Sequence, residues 1–115
     1  MPSLRCTVVL TDPPARRAAG RLDLEVVEIG YADRPALVVG RSSVLAATDE
    51  AGPSGRRWVI DVHEPAGSYA VQAHWALASE EPNGVGNYRT MEHIGVSDAA
   101  WRGEDVITVP LRRIG

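Results

Sequence analysis

A chain of 115 residues has the length of one ordinary domain, and its 44% hydrophobic content is enough for a packed core. Acidic and basic residues are mixed along the chain with a net charge of -3, which excludes the basic stripe of a nucleic-acid-binding surface. A single cysteine excludes an intrachain disulfide. No apolar stretch reaches the length of a signal peptide or a membrane span. We therefore expect one domain, residues 1–115, in the cytoplasm, or in the periplasm or secreted if a leader was removed.

Short runs in which apolar and polar residues alternate, separated by Gly and Pro, predict seven β-strands. In chain order the predicted strands cover residues 4–11, 21–31, 36–46, 57–63, 69–77, 88–96 and 105–113. No helix-length apolar period lies between them. The pattern favours an all-β fold, a single antiparallel β-sandwich of about seven strands, with a small β-barrel as the alternative.

Local features refine this prediction at three places. The neighbouring apolar residues Val26 and Val27 predict a bulge, or a strand end packed on both faces. Ser97 is a suitable N-cap for a short helical turn in which Trp101 packs back on the domain. Pro110 interrupts the hydrogen-bonding capacity of the last strand, which predicts that this strand lies at a sheet edge.

Three histidines lie on or beside predicted strands, and register arguments bring them together. If strands four and five form a hairpin, Asp61 lies opposite Gln72; if strands five and six form the next, His93 lies opposite Gln72 and His74 opposite Met91. The candidate ligand residues on this face are Asp61, His63, His74, Met91 and His93. Imidazole and thioether groups suit copper or another divalent transition metal, and His with a carboxylate suits acid–base catalysis. An ordinary solvated polar face is the alternative interpretation.

Two further features bear on partners. Trp58, Trp75 and Trp101 are candidate anchors of an interaction surface, because Trp is favoured at such surfaces. The first and last strands are rich in β-branched residues, and as exposed edges they would pair with a peptide or with a second copy of the chain. Cys6 alternates with apolar residues and is expected to be an inert core thiol.

Three stretches resemble, in order, segments of the YbaY-like and type III secretion lipoprotein chaperone (pilotin) families. They are residues 24–39, which combine a strand with an Ala-Asp turn and a second strand, residues 69–74, and the closing residues 109–113. The resemblance implies a β-sandwich with a binding or chaperone role, including assistance to an outer-membrane secretion component, and no catalytic residue. Cys6 has no apolar leader or lipobox before it, so we do not expect it to be lipidated.

The leading hypothesis is thus a non-enzymatic, chaperone-like domain that binds a protein or peptide partner. In one version of this hypothesis the domain also forms a homodimer. One alternative is a metal-binding or small-ligand-binding protein that uses the His-bearing face. Another is a small enzyme. Its site would be of an unrecognised kind, because the sequence contains no phosphate-binding loop, zinc motif or nucleophile elbow. No cofactor is expected beyond that divalent metal.

Overall fold

The computed structural model describes residues 3–14, 16–29, 37–52, 55–62, 68–77 and 87–114. Within these ranges the chain forms eight strands, a short α-helix and one turn of 3-10 helix. The strands are β1 (Ser3–Leu10), β2 (Ala19–Ile29), β3 (Leu37–Ala47), β4 (Trp58–Asp61), β5 (Ser68–Leu77), β6 (Tyr88–Arg89), β7 (Ile94–Gly95) and β8 (Ile107–Arg113). The 3-10 turn is Thr48–Glu50, and α1 is Asp98–Trp101. The all-β prediction is confirmed.

The strands form one mixed sheet in the order β3-β2-β5-β6-β8-β1-β4, and β7 adds to β5 beside β6. Every pairing is antiparallel except that of β1 with β8, which is parallel. The two outer strands, β3 and β4, approach each other without a ladder between their described residues. The sheet is therefore a nearly closed barrel with one open seam, which we call the β3–β4 seam.

The predicted hairpin between the fourth and fifth strands is wrong. β4 pairs with β1, and β5 pairs with β2 in an antiparallel ladder that runs from Gly20 opposite Leu77 to Ile29 opposite Ser68. This long ladder buries the apolar sides of both strands, so strands separated by more than twenty residues pair in preference to consecutive ones.

The bulge predicted at Val26 and Val27 is confirmed. Val26 lies opposite Gly40 and Val27 opposite Val38, so Val39 is an extra residue on β3. Both Val26 and Val27 are buried, as a strand segment packed on both faces requires.

The predicted sixth strand is interrupted. His74 of β5 lies opposite Arg89, and Val71 lies opposite Ile94. Three steps along β5 thus correspond to five steps along the other strand, so two extra residues must leave the ladder. Residues 90–93 form this excursion, which separates β6 from β7.

The prediction that the first and last strands lie at sheet edges is wrong, because β1 lies between β8 and β4 and β8 lies between β6 and β1.

The two neighbours of β8 contact different parts of it. Residues 107–111 pair with β1, whereas Arg112 and Arg113 pair with β6. Pro110 therefore has a ladder partner, Val9, on one side only among the described residues. A proline is tolerated there because the other side of the strand needs no N–H donor.

The core lies inside the sheet and contains two of the three indole side chains. Trp58 and Trp75 are buried and meet edge to face, with ring centroids 6.3 Å apart. The fully buried apolar side chains around them include Leu4, Val8, Leu22, Leu24, Val26, Ile60, Val62, Val71, Val109 and Leu111. Cys6 is also buried, as predicted.

The short helix α1 begins as predicted. The Oγ of Ser97 accepts a hydrogen bond from the N–H of Ala100 at 3.2 Å. Trp101 is half-buried and packs edge to face on Tyr69, with centroids 5.5 Å apart. None of the helical segments in the described ranges is long and apolar enough to cross a bilayer.

Candidate functional site

A chain of hydrogen-bonded side chains crosses the outer face of the sheet. Arg41, Glu25 and Gln72 lie directly opposite one another on β3, β2 and β5. Arg41 Nη2 donates to Glu25 Oε2 at 2.6 Å, and Gln72 Nε2 donates to Glu25 Oε1 at 3.2 Å. His93 Nε2 lies 3.0 Å from Gln72 Oε1. Because that amide oxygen can only accept, the His93 imidazole is the donor.

A second row lies beside the first. Ser43, Asp23, His74, Arg89 and Arg112 are successive opposite residues on β3, β2, β5, β6 and β8. Ser43 Oγ donates to Asp23 Oδ1 at 2.6 Å. On β2 the row is acidic, and the Asp23 carboxylate there is hydrogen-bonded. Towards β8 the row becomes basic, because Arg89 and Arg112 follow.

His74 occupies the middle of this second row. Its side chain is half-buried, and its Nε2 is a buried atom that meets no hydrogen-bond partner among the described residues. Desolvation by burial lowers the pKa of His74; the Asp23 carboxylate opposes this shift, and the guanidinium groups of Arg21 and Arg89 add to it. The structure thus favours a neutral imidazole here.

Two shallow depressions adjoin this part of the sheet. One, of about 250 Å³, is bordered by His74 and Arg89, and the other, of about 280 Å³, by Met91 and His93. Both share Gln72 and Thr90 in their lining, so they are neighbours. Thr90 also fixes the local geometry, since its Oγ1 accepts a hydrogen bond from the N–H of Ala73 at 3.2 Å.

A third depression, of about 330 Å³, lies where β7 and β8 do not pair. Its lining includes Met91 and Ile94 on one side and Pro110 and Arg112 on the other. All three depressions therefore border the same stretch, residues 89–94, which we call the 89–94 segment.

The structure brings three of the five predicted ligand residues to this segment. His74, Met91 and His93 lie around Gln72 and Thr90, although His74 is opposite Arg89 and not Met91. Asp61 is placed elsewhere: it is exposed on β4, opposite Ser3 of β1, and β4 has no pairing with β5.

His63 lies outside the described residues. Within the part of the chain that the structure describes, no group of three or more His, Cys, Asp or Glu side chains could hold a metal ion. The metal site therefore stays a prediction, and its test requires His63.

The predicted aromatic anchors need correction. Trp58 and Trp75 are buried in the core, so their rings are not available to a partner, and Trp101 is half-buried against Tyr69. The large apolar side chains that are exposed among the described residues are instead Leu37, Val38, Leu45, Val59 and Met91. The first four belong to β3 and β4, the strands of the seam, and Met91 belongs to the 89–94 segment.

One solved structure reproduces this arrangement of strands. It is described as an alternative pilotin from the type II secretion system of Vibrio cholerae, and it matches with a TM-score of 0.69 over 98% of this chain and 96% of that chain. The fold is pilotin-like. Sequence identity is 15%, so the likeness concerns the fold. No family model matches the chain, and no curated protein matches it significantly.

The resemblance to pilotins is thus confirmed at the level of fold. The solved pilotin comes from a type II system, whereas the sequence resemblance was to type III lipoprotein chaperones and YbaY-like proteins. That narrower assignment stays a prediction.

Sequence reasoning missed Asp23, Glu25 and Arg89 as members of this surface. Alternation along the second predicted strand places Asp23 and Glu25 outward, which was the available signal. Their importance follows from the pairing of β2 with β5, which joins strands far apart in sequence and cannot be read from neighbouring residues.

Proposed function

We propose that this chain is a protein-binding domain with a chaperone-like role in secretion, and that it binds a segment of its partner. The observation that carries the proposal is the pilotin-like fold, which extends over 98% of the chain. The related solved structure is a component of a secretion system by its own description. The step from a shared fold to a shared role is an analogy, so the proposal takes from it only the general class of function, which is protein binding.

The 89–94 segment is the surface we assign to this role. It leaves the sheet ladder, it borders three depressions, and its Met91 side chain is 52% exposed. Arg89 is its first residue, Arg112 lies opposite Arg89 on β8, and both are exposed. Met and Arg are enriched at protein interfaces, because both combine a long apolar stem with an adaptable or charged end.

Site-specific photocrosslinking in cells of the source organism tests the proposal. A photoreactive amino acid at Met91 is expected to yield a defined adduct with one protein. The matched control is Thr108, an exposed position on the part of β8 that pairs with β1. An adduct that is specific to position 91 and contains a secretion-system component supports the proposal. The absence of an adduct, the same adducts at both positions, or a partner unrelated to secretion contradicts it.

Self-association through the β3–β4 seam is a second candidate, because four exposed apolar side chains are concentrated on its two strands. Leu45 is the most exposed of them, at 82%. An outer strand of a sheet offers unpaired N–H and C=O groups to a second copy of itself. This candidate and partner binding at the 89–94 segment use different sides of the barrel and are compatible.

A further inference from the structure

Two like charges face each other across β6 and β8. Arg89 and Arg112 are direct antiparallel partners, so their side chains leave the sheet on the same face. Like charges in directly opposite positions destabilise a sheet. Both side chains are exposed, and neither forms an ion pair with a described residue.

Elsewhere on the described surface some arginines are paired with carboxylates and others, such as Arg57 and Arg113, are not. Five other arginines each contact a carboxylate: Arg17 with Asp49, Arg21 with Asp23, Arg41 with Glu25, Arg56 with Glu50, and Arg102 with Glu104. Arg89 and Arg112 thus keep an unfavourable neighbour without the compensation that these pairs receive.

The acidic groups near this pair do not neutralise it. The Glu25 carboxylate already accepts from Arg41 and Gln72. Glu92 borders the same depression as Arg112 but forms no ion pair with a described residue. On the other side of Arg89 lies the half-buried His74, which is a neutral neighbour when deprotonated.

Opposite residues of an antiparallel pair have Cβ atoms only about 5 Å apart, so two long guanidinium side chains can reach one anionic group. A guanidinium fork matches the two oxygens of a carboxylate, and such charge-assisted hydrogen bonds are stronger than neutral ones. Next to the pair, Met91, Ile94 and Pro110 line an apolar wall of the third depression. The surface therefore suits an acidic side chain that is adjacent to an apolar one.

We propose that Arg89 and Arg112 together bind a carboxylate of an acidic segment in the protein partner. This inference rests on the proposed protein-binding function and names the chemistry of the partner. The occupant relieves the repulsion between the two guanidinium groups, so binding stabilises the sheet locally.

Two short synthetic peptides test the inference by fluorescence anisotropy at low and at physiological salt. In one, Glu alternates with apolar residues, and in the other Gln replaces each Glu. The Glu peptide is expected to bind with an affinity that falls as salt rises, and the Gln peptide to bind at least about tenfold more weakly. Equal binding of the two peptides, or binding of neither, overturns the inference.

Substitutions of the two arginines test whether the Glu peptide binds at this pair. R89Q and R112Q are each expected to weaken binding of the Glu peptide by about tenfold, because each removes a charge-assisted contact. R57Q is the matched control, since Arg57 is exposed, precedes β4 and loses the same charge. R89Q and R112Q are also expected to unfold at a temperature no lower than the original protein. A lower unfolding temperature in both, or an equal loss of binding in R57Q, overturns the inference.

Inorganic phosphate separates a carboxylate-bearing segment from a free anion. A contrary result is that phosphate raises the unfolding temperature of the original protein but not of R89Q or R112Q, while the Glu peptide does not bind. That result identifies a free-anion site and overturns the acidic-segment proposal. An adduct at Met91 without binding of the Glu peptide refutes this inference alone. If no adduct forms at Met91, the proposed protein-binding function itself is contradicted.

Discussion

The imidazole Nε2 of His93 lies 3.0 Å from the side-chain oxygen of Gln72. This contact attaches the 89–94 segment to β5 at the place where the segment has left the backbone ladder. Backbone pairing therefore fixes both ends of the segment, and a side-chain hydrogen bond fixes its middle. Such a segment can present Met91 and its neighbours in a defined geometry and still lack the rigidity of a strand.

The β3–β4 seam depends on a glycine. A Cβ atom on Gly40 would lie 2.7 Å from the carbonyl oxygen of Asp61, and 3.1 Å from a methyl of Val62. We expect Gly40→Ala to force the two strands apart and to lower the free energy of unfolding by about 1–3 kcal/mol, as overpacking does. Urea unfolding measures this. Gly95→Ala is the control, because no described atom lies within 4 Å of its Cβ position; equal effects of the two substitutions would contradict the close contact at the seam.

Trp75 is expected to dominate the stability of the core. It is fully buried, and Trp75→Ala should lower the free energy of unfolding by about 3–5 kcal/mol. Trp75→Phe should cost much less, because it keeps an aromatic ring and removes an indole N–H that has no partner among the described residues. Denaturant titration compares them with Trp101→Ala, which removes a half-buried ring and should cost less than Trp75→Ala. The reverse order would show that the core is centred elsewhere.

His74 should make stability depend on pH. Burial lowers its pKa in the folded state below the ordinary value of 6.5, so the unfolded chain takes up a proton first as the pH falls. The contribution of His74 is therefore present above pH 6.5 and is lost progressively as the pH falls from there towards the folded-state pKa. His74→Asn should remove this part of the pH dependence in unfolding curves between about pH 7.5 and 5. The same substitution at the exposed His93 is the control and should leave it in place.

Cys6 should be unreactive in the folded protein. Burial raises the pKa of its thiol to about 12, so almost no thiolate is present at neutral pH. A colorimetric thiol reagent is expected to react with one equivalent per chain only after denaturant is added. Rapid reaction of the native protein would mean that β1 opens readily.

Leu45 provides the test of self-association. Because its side chain is 82% exposed, Leu45→Thr should change the free energy of unfolding by no more than about 0.5 kcal/mol. If the seam joins two copies, the substitution should lower the molar mass measured by light scattering across a concentration series. A charged substitution on β1 would not test this, since β1 has neighbours on both sides. A mass that is identical for the original protein and Leu45→Thr would exclude the seam as a dimer interface.

Much of the fold could be predicted from local patterns. Alternation identified the strands, two adjacent valines identified the bulge, and Ser97 identified the helix start, because each of these signals is contained in a few neighbouring residues. The candidate site stays a prediction. Its residues His74, Met91 and His93 lie around Gln72 and Thr90 because β5 pairs with its successors, although in a register that differs from the expected one.

The predicted position of Asp61 was wrong because it depends on which distant strand pairs with β4. That choice is made by burial of the whole sheet: β4 supplies Trp58 and Ile60 to the core beside β1. The rows that contain Asp23 and Glu25 could not be predicted for the same reason. Non-local pairing is a collective property, and no short stretch of sequence encodes it.

The parallel ladder from Cys6 opposite Ile107 to Leu10 opposite Leu111 joins the first strand to the last. During synthesis β1 therefore leaves the ribosome long before its neighbour β8 exists, and the barrel cannot be completed until β8 has emerged. Loop closure between strands so far apart in sequence makes such a topology slow to fold. Loss of β8 should consequently leave residues 6–10 of β1 without their ladder partners, and such an exposed strand is a target for proteases and for aggregation.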